Sequence, residues 1–211
     1  MMGRTLRLVI ASLIISLSSV DAMALPTVVD FESLSDGDVL TNQLTGLTFT
    51  NALVESAGLL LNDAEFPPHS GTNVITDNGG SISIDFATPV DSVGGYFTYV
   101  TPLSLSAYAG ANLIASVTSA FSANYVSGGD SGSTPNEFLS LAGSGITQLT
   151  ISGDPNGGSF TLDDLSYTVA DSNNGNVPEP GSLPLVFSGL PLLWAGRKLR
   201  GLKSAQVLDK K

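Results

Sequence analysis

Residues 81–86, SISIDF, decide the fold class because they alternate between apolar and polar side chains. Ile82, Ile84 and Phe86 fall on one face of an extended chain, and the polar residues fall on the other. Period two is typical of a strand with one face buried and the other in solvent. The stretch therefore predicts a β-strand, and a protein in which several such strands cover one another.

Similar short runs recur through the body of the chain, residues 25–170. Strands are predicted at 28–32, 47–51, 59–61, 73–76, 81–86, 93–100, 103–109, 113–119, 137–141, 148–152 and 159–169. Turn sequences such as SDGD, DNGG and GDPNGG separate them, and no stretch has the apolar stripe of an amphipathic helix. We predict an all-β protein, a two-sheet antiparallel β-sandwich with a jelly roll as the best candidate.

The apolar positions of these runs predict the hydrophobic core. The predicted core residues are Phe31, Phe49, Val74, Ile82, Ile84, Phe86, Tyr96, Leu105, Ile151, Leu162 and Leu165. Burial of about ten such side chains contributes some tens of kcal/mol against chain entropy. That is enough for a domain without disulfides, and the chain has no cysteine.

Charge is distributed unevenly. All eight basic residues lie near the two ends, and no Lys or Arg occurs between Leu25 and Asn176. The same region holds sixteen acidic residues, the nineteen of the chain less Asp21, Glu179 and Asp209, so its formal charge is −16. Nucleic-acid binding depends on Lys and Arg that neutralise phosphates, so nucleic acid is excluded as a partner. The absence of cysteine likewise excludes thiol catalysis.

The first 24 residues predict a secretory signal peptide. Arg4 and Arg7 precede the apolar run LVIASLIISLSSV, and Ala22 and Ala24 are the small residues that signal peptidase requires. Cleavage is predicted after Ala24. The apolar run is short for a bilayer span of about twenty residues, which argues against an uncleaved membrane helix.

A second short apolar segment lies near the other end. Residues 183–196 precede a cluster of basic side chains, which the positive-inside rule keeps in the cytoplasm. This predicts a short transmembrane helix, a polar linker before it at 171–176 and a cytoplasmic tail at 204–211. The predicted basic stop cluster is Arg197, Lys198, Arg200 and Lys203.

Residues 177–203 resemble the PEP-CTERM sorting signal: the tetrapeptide VPEP, an apolar helix that contains Trp194, and RKLRG. The motif residues are Val177, Pro178, Glu179 and Pro180. The resemblance implies recognition by an exosortase in a Gram-negative bacterium that makes exopolysaccharide. It also implies export through the inner membrane, a membrane-anchored intermediate, and delivery to the cell surface or extracellular matrix. A permanent membrane anchor is the alternative.

The first and last strands carry the most suggestive carboxylates. The body opens with VVDFESLSDGD, which contains Asp30 and Glu32, and closes with FTLDDLSY, which contains Asp163 and Asp164. This pairing resembles jelly-roll carbohydrate-binding modules and galactose-binding-like domains. The resemblance implies a structural calcium held by Glu32 and Asp164, with Asp163 as the alternative ligand. A hard cation with oxygen ligands suits carboxylates that have no basic partner; ordinary exposed carboxylates are the other interpretation.

Candidates for catalysis are few. His69 is the only histidine, and Ser70 follows it, but adjacent residues of an extended chain point to opposite faces and do not form a nucleophile–base pair. Sugar binding is the more natural chemistry, and Phe97 and Tyr99 are predicted to form an exposed aromatic platform, unless they pack under a loop.

We therefore expect a non-enzymatic exported protein of the surface or the exopolysaccharide matrix of a biofilm, with exopolysaccharide as its candidate partner. A carbohydrate-active hydrolase and a passive surface adhesin or filler domain are the alternatives. No spacing in the sequence selects a pair of catalytic carboxylates.

Overall fold

A computed structural model describes residues 25–170. Within that range the chain forms ten strands and the turns that connect them. The strands are β1 (Thr27–Val29), β2 (Val39–Leu40), β3 (Leu47–Thr50), β4 (Ala52–Ser56), β5 (Asn73–Asp77), β6 (Ile82–Tyr99), β7 (Ser104–Ala109), β8 (Asn112–Thr118), β9 (Glu137–Ser152) and β10 (Phe160–Val169). Every pairing between these strands is antiparallel.

Two long strands, β6 and β9, organise the fold. The strand order is β2-β4-β5-β10-β6-β9-β7-β8, with β1 beside β10 and β3 beside β6. The first half of β6 lies between β3 and the second half of β9, whereas its second half lies between β10 and the first half of β9. The register shifts between Asp85 and Val90, where β6 passes from one set of neighbours to the other. The all-β antiparallel sandwich is thereby confirmed; jelly-roll connectivity stays a prediction.

The predicted strands at 81–86 and 93–100 are one strand, β6, and those at 137–141 and 148–152 are one strand, β9. The residues between them favour turns locally, but pairing with neighbouring strands keeps the chain extended. The predicted strand at 59–61 is wrong: Leu59 and Leu60 are 71% and 58% exposed in the turns that follow β4. Strand β4 itself was not predicted, because its inward residues include the small side chains of Ala52 and Ser56.

Ten of the eleven predicted core residues are buried, and the exception is Tyr96. Phe97 and Tyr99 are 1% and 0% exposed, so the predicted aromatic platform at these two residues is wrong. Between residues 93 and 99, strand β6 buries every residue except Tyr96, which is half-buried and pairs with the exposed Phe138. The local sequence does not decide whether Tyr96 or Phe97 faces the core. Packing of the second half of β6 buries Phe97.

The remaining predictions of the chain ends fall outside the described residues. These are the signal peptide, the linker, the sorting motif, the transmembrane helix and the basic tail. Between residues 25 and 170, no helix is long and apolar enough to span a membrane.

Candidate functional site

Three neighbouring strands bring an aromatic and acidic row to one face of the sheet. Tyr96 on β6 is directly opposite Phe138 on β9 and opposite Asp163 on β10. Residues that pair directly across antiparallel strands point to the same face. Phe138 is 51% exposed, whereas Asp163 is 1% exposed because a loop covers it. The exposed end of the row is therefore aromatic and the covered end is acidic.

A bulge in β10 brings a second carboxylate to the same place. The register shifts between Asp163 and Ser166, and Asp164 has a left-handed backbone with φ of 46°. Consecutive residues of a regular strand point to opposite faces, so without the bulge Asp163 and Asp164 would diverge. Instead, both carboxylates reach Ser70: its N–H donates to Asp163 Oδ2 at 2.8 Å, and its hydroxyl donates to Asp164 Oδ1 at 2.9 Å.

His69 joins the carboxylates to the aromatic residues. Its Nδ1 lies 2.7 Å from Asp164 Oδ2, and its ring stacks on Tyr96 with centroids 3.4 Å apart and planes within 8°. The Tyr96 ring also contacts Phe138, with centroids 5.1 Å apart and planes at 52°. The three rings form a continuous surface, which we call the aromatic row (His69, Tyr96 and Phe138).

An open cleft of about 430 Å³ lies over this row. Its lining residues are Val28, Asp30, His69, Ser70, Tyr96, Phe138, Asp164 and Ser166. Apolar rings and a few convergent polar groups are the composition of small-molecule binding sites. The cleft offers ring faces for stacking and carboxylates that accept hydrogen bonds from hydroxyl or amino groups.

Asp163, the buried carboxylate beside the aromatic row, has a raised pKa. Burial raises the pKa of Asp163 from 3.8 to about 6, opposed by the N–H donated by Ser70 and assisted by the negative charge of Asp164. Asp163 therefore accepts a bond from the loop at 69–70 and has a pKa of about 6.

Glu32 lies at a neighbouring loop and accepts bonds from protein donors. Its Oε1 accepts the N–H groups of Thr72 and Asn73 at 2.8 and 2.7 Å, and its Oε2 accepts the Thr72 hydroxyl at 3.0 Å. Burial raises the pKa of Glu32, but these hydrogen bonds outweigh it and lower the pKa below 4.5. Gly71 permits this contact, since a Cβ there would lie 2.3 Å from Glu32 Oε1.

The predicted calcium ligands do not fit a metal in this arrangement. Across residues 25–170, no three His, Cys, Asp or Glu side chains are grouped so that they could hold an ion. Glu32, Asp163 and Asp164 accept hydrogen bonds from N–H and O–H groups or lie against His69. Calcium stays a prediction of the sequence resemblance, and no step of the proposed function uses it.

The arrangement of His69 and Ser70 also differs from a nucleophile–base pair. Both side chains bond to Asp164, the hydroxyl to one oxygen and the imidazole to the other. A catalytic serine would instead donate its proton to the histidine. Here Ser70 and His69 position the Asp164 carboxylate at the cleft.

Sequence reasoning found part of this site. Asp163 and Asp164 are among the predicted site residues, whereas Tyr96 is predicted in the core and Phe138 is not predicted at all. A signal for Phe138 was present: Leu139 and Leu141 are buried on β9, so alternation places Phe138 on the opposite face.

Comparisons with known proteins identify no family for this chain. A scan against protein-family models found no match, and a search of curated proteins found none. Among solved structures, a family 61 carbohydrate-binding module, TmCBM61 in complex with β-1,4-galactotriose, is 13% identical with a TM-score of 0.37, over 67% of this chain and 94% of that one. The K1 cleaved adhesin domain of Lys-gingipain from Porphyromonas gingivalis W83 is 6% identical with a TM-score of 0.43, over 69% and 99% of the two chains.

A third solved structure, CBM35 from Paenibacillus barcinonensis, is 19% identical with a TM-score of 0.33, over 60% of this chain and 94% of that one. Likeness at this level identifies neither a family nor a ligand. The functional conclusion therefore depends on the cleft itself.

Proposed function

We propose that residues 25–170 form a non-enzymatic glycan-binding domain, and that the cleft over the aromatic row is its binding site. The exposed ring of Phe138 carries the proposal. A phenyl side chain left 51% exposed on a regular strand, at the wall of a cleft of about 430 Å³, has apolar surface available to a ligand. A sugar ring presents an apolar face of C–H groups that can stack on it, and hydroxyl groups at its rim.

The polar groups beside the rings are suited to those hydroxyl groups. Asp30 is exposed at the cleft, and its Oδ1 accepts one bond, from the Glu32 N–H at 3.2 Å. Asp164 is held by His69 and Ser70, so its direction is set before a ligand arrives. Groups that are already oriented lose little conformational freedom on binding, which favours affinity.

The cellular location proposed for the domain rests on two predicted sorting segments of the sequence. A signal peptide at residues 1–24 and a PEP-CTERM sorting signal at 177–203 support export through the inner membrane of a Gram-negative bacterium. In this proposal, signal peptidase and an exosortase process the chain, and the domain becomes a component of the cell surface or the exopolysaccharide matrix. Structural calcium, implied by the resemblance of the body to carbohydrate-binding modules and galactose-binding-like domains, has no part in this role.

Affinity electrophoresis of the full-length protein in gels that contain polysaccharide tests the binding site. We expect retardation by at least one glycan, and we expect Phe138→Ala to abolish it. Leu113→Ala is the matched control, since Leu113 is 57% exposed on β8 and does not line the cleft. Retardation that survives Phe138→Ala would place binding elsewhere, and no retardation by any glycan would favour a passive adhesin or filler domain.

One observation supports a hydrolase as the second candidate. Asp30 and Asp164 line the same cleft, and a pair of carboxylates is the usual machinery of glycoside hydrolysis. Release of reducing ends from a bound polysaccharide, lost in both Asp30→Asn and Asp164→Asn, would establish this activity. Binding without turnover is the result that the non-enzymatic proposal requires.

A further inference from the structure

We infer that the glycan bound in this cleft carries free amino groups, as a glucosamine-containing polysaccharide does. The inference rests on the proposed glycan-binding function and names the class of sugar that the site prefers. It is carried by the charges that face the cleft and by the absence of a fixed positive charge in the body of the chain.

The cleft has negative charge and no Lys or Arg to balance it. Asp30 and Asp164 line it, and the only other ionisable side chains of the lining are His69 and Tyr96. No Lys or Arg lies anywhere between residues 25 and 176. A glycan that carries uronate, sulfate or phosphate groups would meet these carboxylates and the field of the whole acidic body without an attractive partner. Acidic polysaccharides are therefore disfavoured.

An amino sugar forms stronger interactions with the carboxylates of the cleft than a neutral sugar does. An ammonium donates charge-assisted hydrogen bonds, which are stronger than those of a hydroxyl. Asp30 is the available acceptor, since it is exposed and only its Oδ1 accepts a bond from another described residue. Asp164 lines the same cleft, although His69 and Ser70 already bond to it.

The aromatic row adds to this preference. A cation is attracted to the face of a phenyl or phenol ring, and the Phe138 ring is exposed in the cleft. His69 stacks on Tyr96, and Phe138 is the exposed phenyl ring of the row. Stacking and charge then act on the same sugar, whose ring lies against Phe138 while its amino group reaches a carboxylate.

Calorimetric titration of the full-length protein with three oligosaccharides of equal length tests the inference. The probes are a glucosamine oligomer, its N-acetylated counterpart and an oligouronate. We expect the glucosamine oligomer to bind at least about tenfold more tightly than the acetylated one at low salt, with the advantage decreasing as salt is added. We expect no measurable binding of the oligouronate.

Two variants separate the cleft from the general field of the acidic body. Asp30→Asn should remove the advantage of the glucosamine oligomer, and Asp63→Asn should keep it. Asp63 is a matched control because it is also exposed, accepts one backbone N–H, from Gly58 at 3.3 Å, and lies outside the cleft. Phe138→Ala should weaken binding of both the glucosamine and the acetylated oligomer.

The outcomes separate the two proposals. Equal or tighter binding of the acetylated oligomer or the oligouronate, sensitive to Phe138→Ala, would overturn the amino-sugar inference and leave the glycan-binding function standing. Equal losses in Asp30→Asn and Asp63→Asn would also overturn it, because the attraction would then belong to the whole surface. Absence of binding to every oligosaccharide tested, together with no retardation by any polysaccharide, would remove the proposed function and the inference with it.

Discussion

Asp164 Oδ2 lies 2.7 Å from Nδ1 of His69, although 95 residues separate the two in sequence. The contact joins the loop that precedes β5 to the bulge of β10, and it places the imidazole on the face of Tyr96. One wall of the cleft therefore depends on a pairing between distant segments.

Replacement of His69 tests the contributions of stacking and hydrogen bonding. His69→Phe keeps a ring over Tyr96 but removes the bond to Asp164, so we expect a loss of about 1 kcal/mol in the free energy of unfolding. His69→Ala also removes the stacking and should cost about 1 kcal/mol more. Urea denaturation measures both. Identical stabilities of the two variants would show that the stacked ring contributes nothing.

Asp163 predicts a dependence of stability on pH. Its folded pKa of about 6 lies above the ordinary value of 3.8, so between these values the folded protein holds the proton more tightly than the unfolded chain. The contribution of this residue therefore favours folding below pH 4 and is lost as pH rises through 6, by at most about 3 kcal/mol.

The wild type and Asp163→Asn should differ in this window, because the variant lacks the titration. Urea denaturation at intervals from pH 4 to pH 7 measures the difference. Each oxygen of Asp163 accepts one backbone N–H, from Ser70 or from Asp164. In the variant, an amide N–H₂ group replaces one of these oxygens and faces an N–H donor. The variant should therefore be less stable than the wild type at pH 4, where the wild-type carboxyl is protonated. Parallel pH profiles of the two proteins would contradict the raised pKa.

Gly71 is predicted to be required for the contact with Glu32. Gly71→Ala adds a Cβ at 2.3 Å from Glu32 Oε1 and must displace the carboxylate from the Thr72 and Asn73 N–H groups. Gly46→Ala is the matched control: its φ of 83° is also left-handed, but its Cβ would meet no atom within 4 Å. Both changes carry the left-handed penalty of about 1 kcal/mol, and Gly71→Ala should cost about 1 kcal/mol more.

A double-mutant cycle checks the cause of that difference. In a Glu32→Ala background, the two alanine substitutions should have the same cost, because no carboxylate remains to be displaced. An excess cost of Gly71→Ala that persists without Glu32 would assign it to another neighbour.

Removal of metal distinguishes the two interpretations of Glu32. In the hydrogen-bonded arrangement its carboxylate oxygens accept N–H and O–H groups, so we expect millimolar EDTA to leave Tm unchanged and added calcium to have no effect. The sequence resemblance requires the opposite, a rise in Tm with calcium that is lost in Glu32→Gln. Differential scanning calorimetry of the full-length protein decides between them.

The core was largely predictable because alternation is a local property. Ile82, Ile84 and Phe86 were assigned to one buried face from six residues of sequence, and all three are buried. The prediction failed at Tyr96 and Phe97, where two adjacent aromatic residues fit either face. A local pattern contains no information about which ring packs against the opposite layer, so the aromatic platform was predicted at two residues that are buried.

The pattern of the amino acids alone determined the all-β fold class and the acidic body without a Lys or Arg, because each depends on composition or on neighbours in the chain. The cleft was decided by tertiary structure. Its walls come from β1, the loop before β5, β6, β9 and β10, and they meet only when those strands pair in register. The bulge at Asp164 then turns two adjacent carboxylates toward one loop, an orientation that regular alternation in the sequence would not predict.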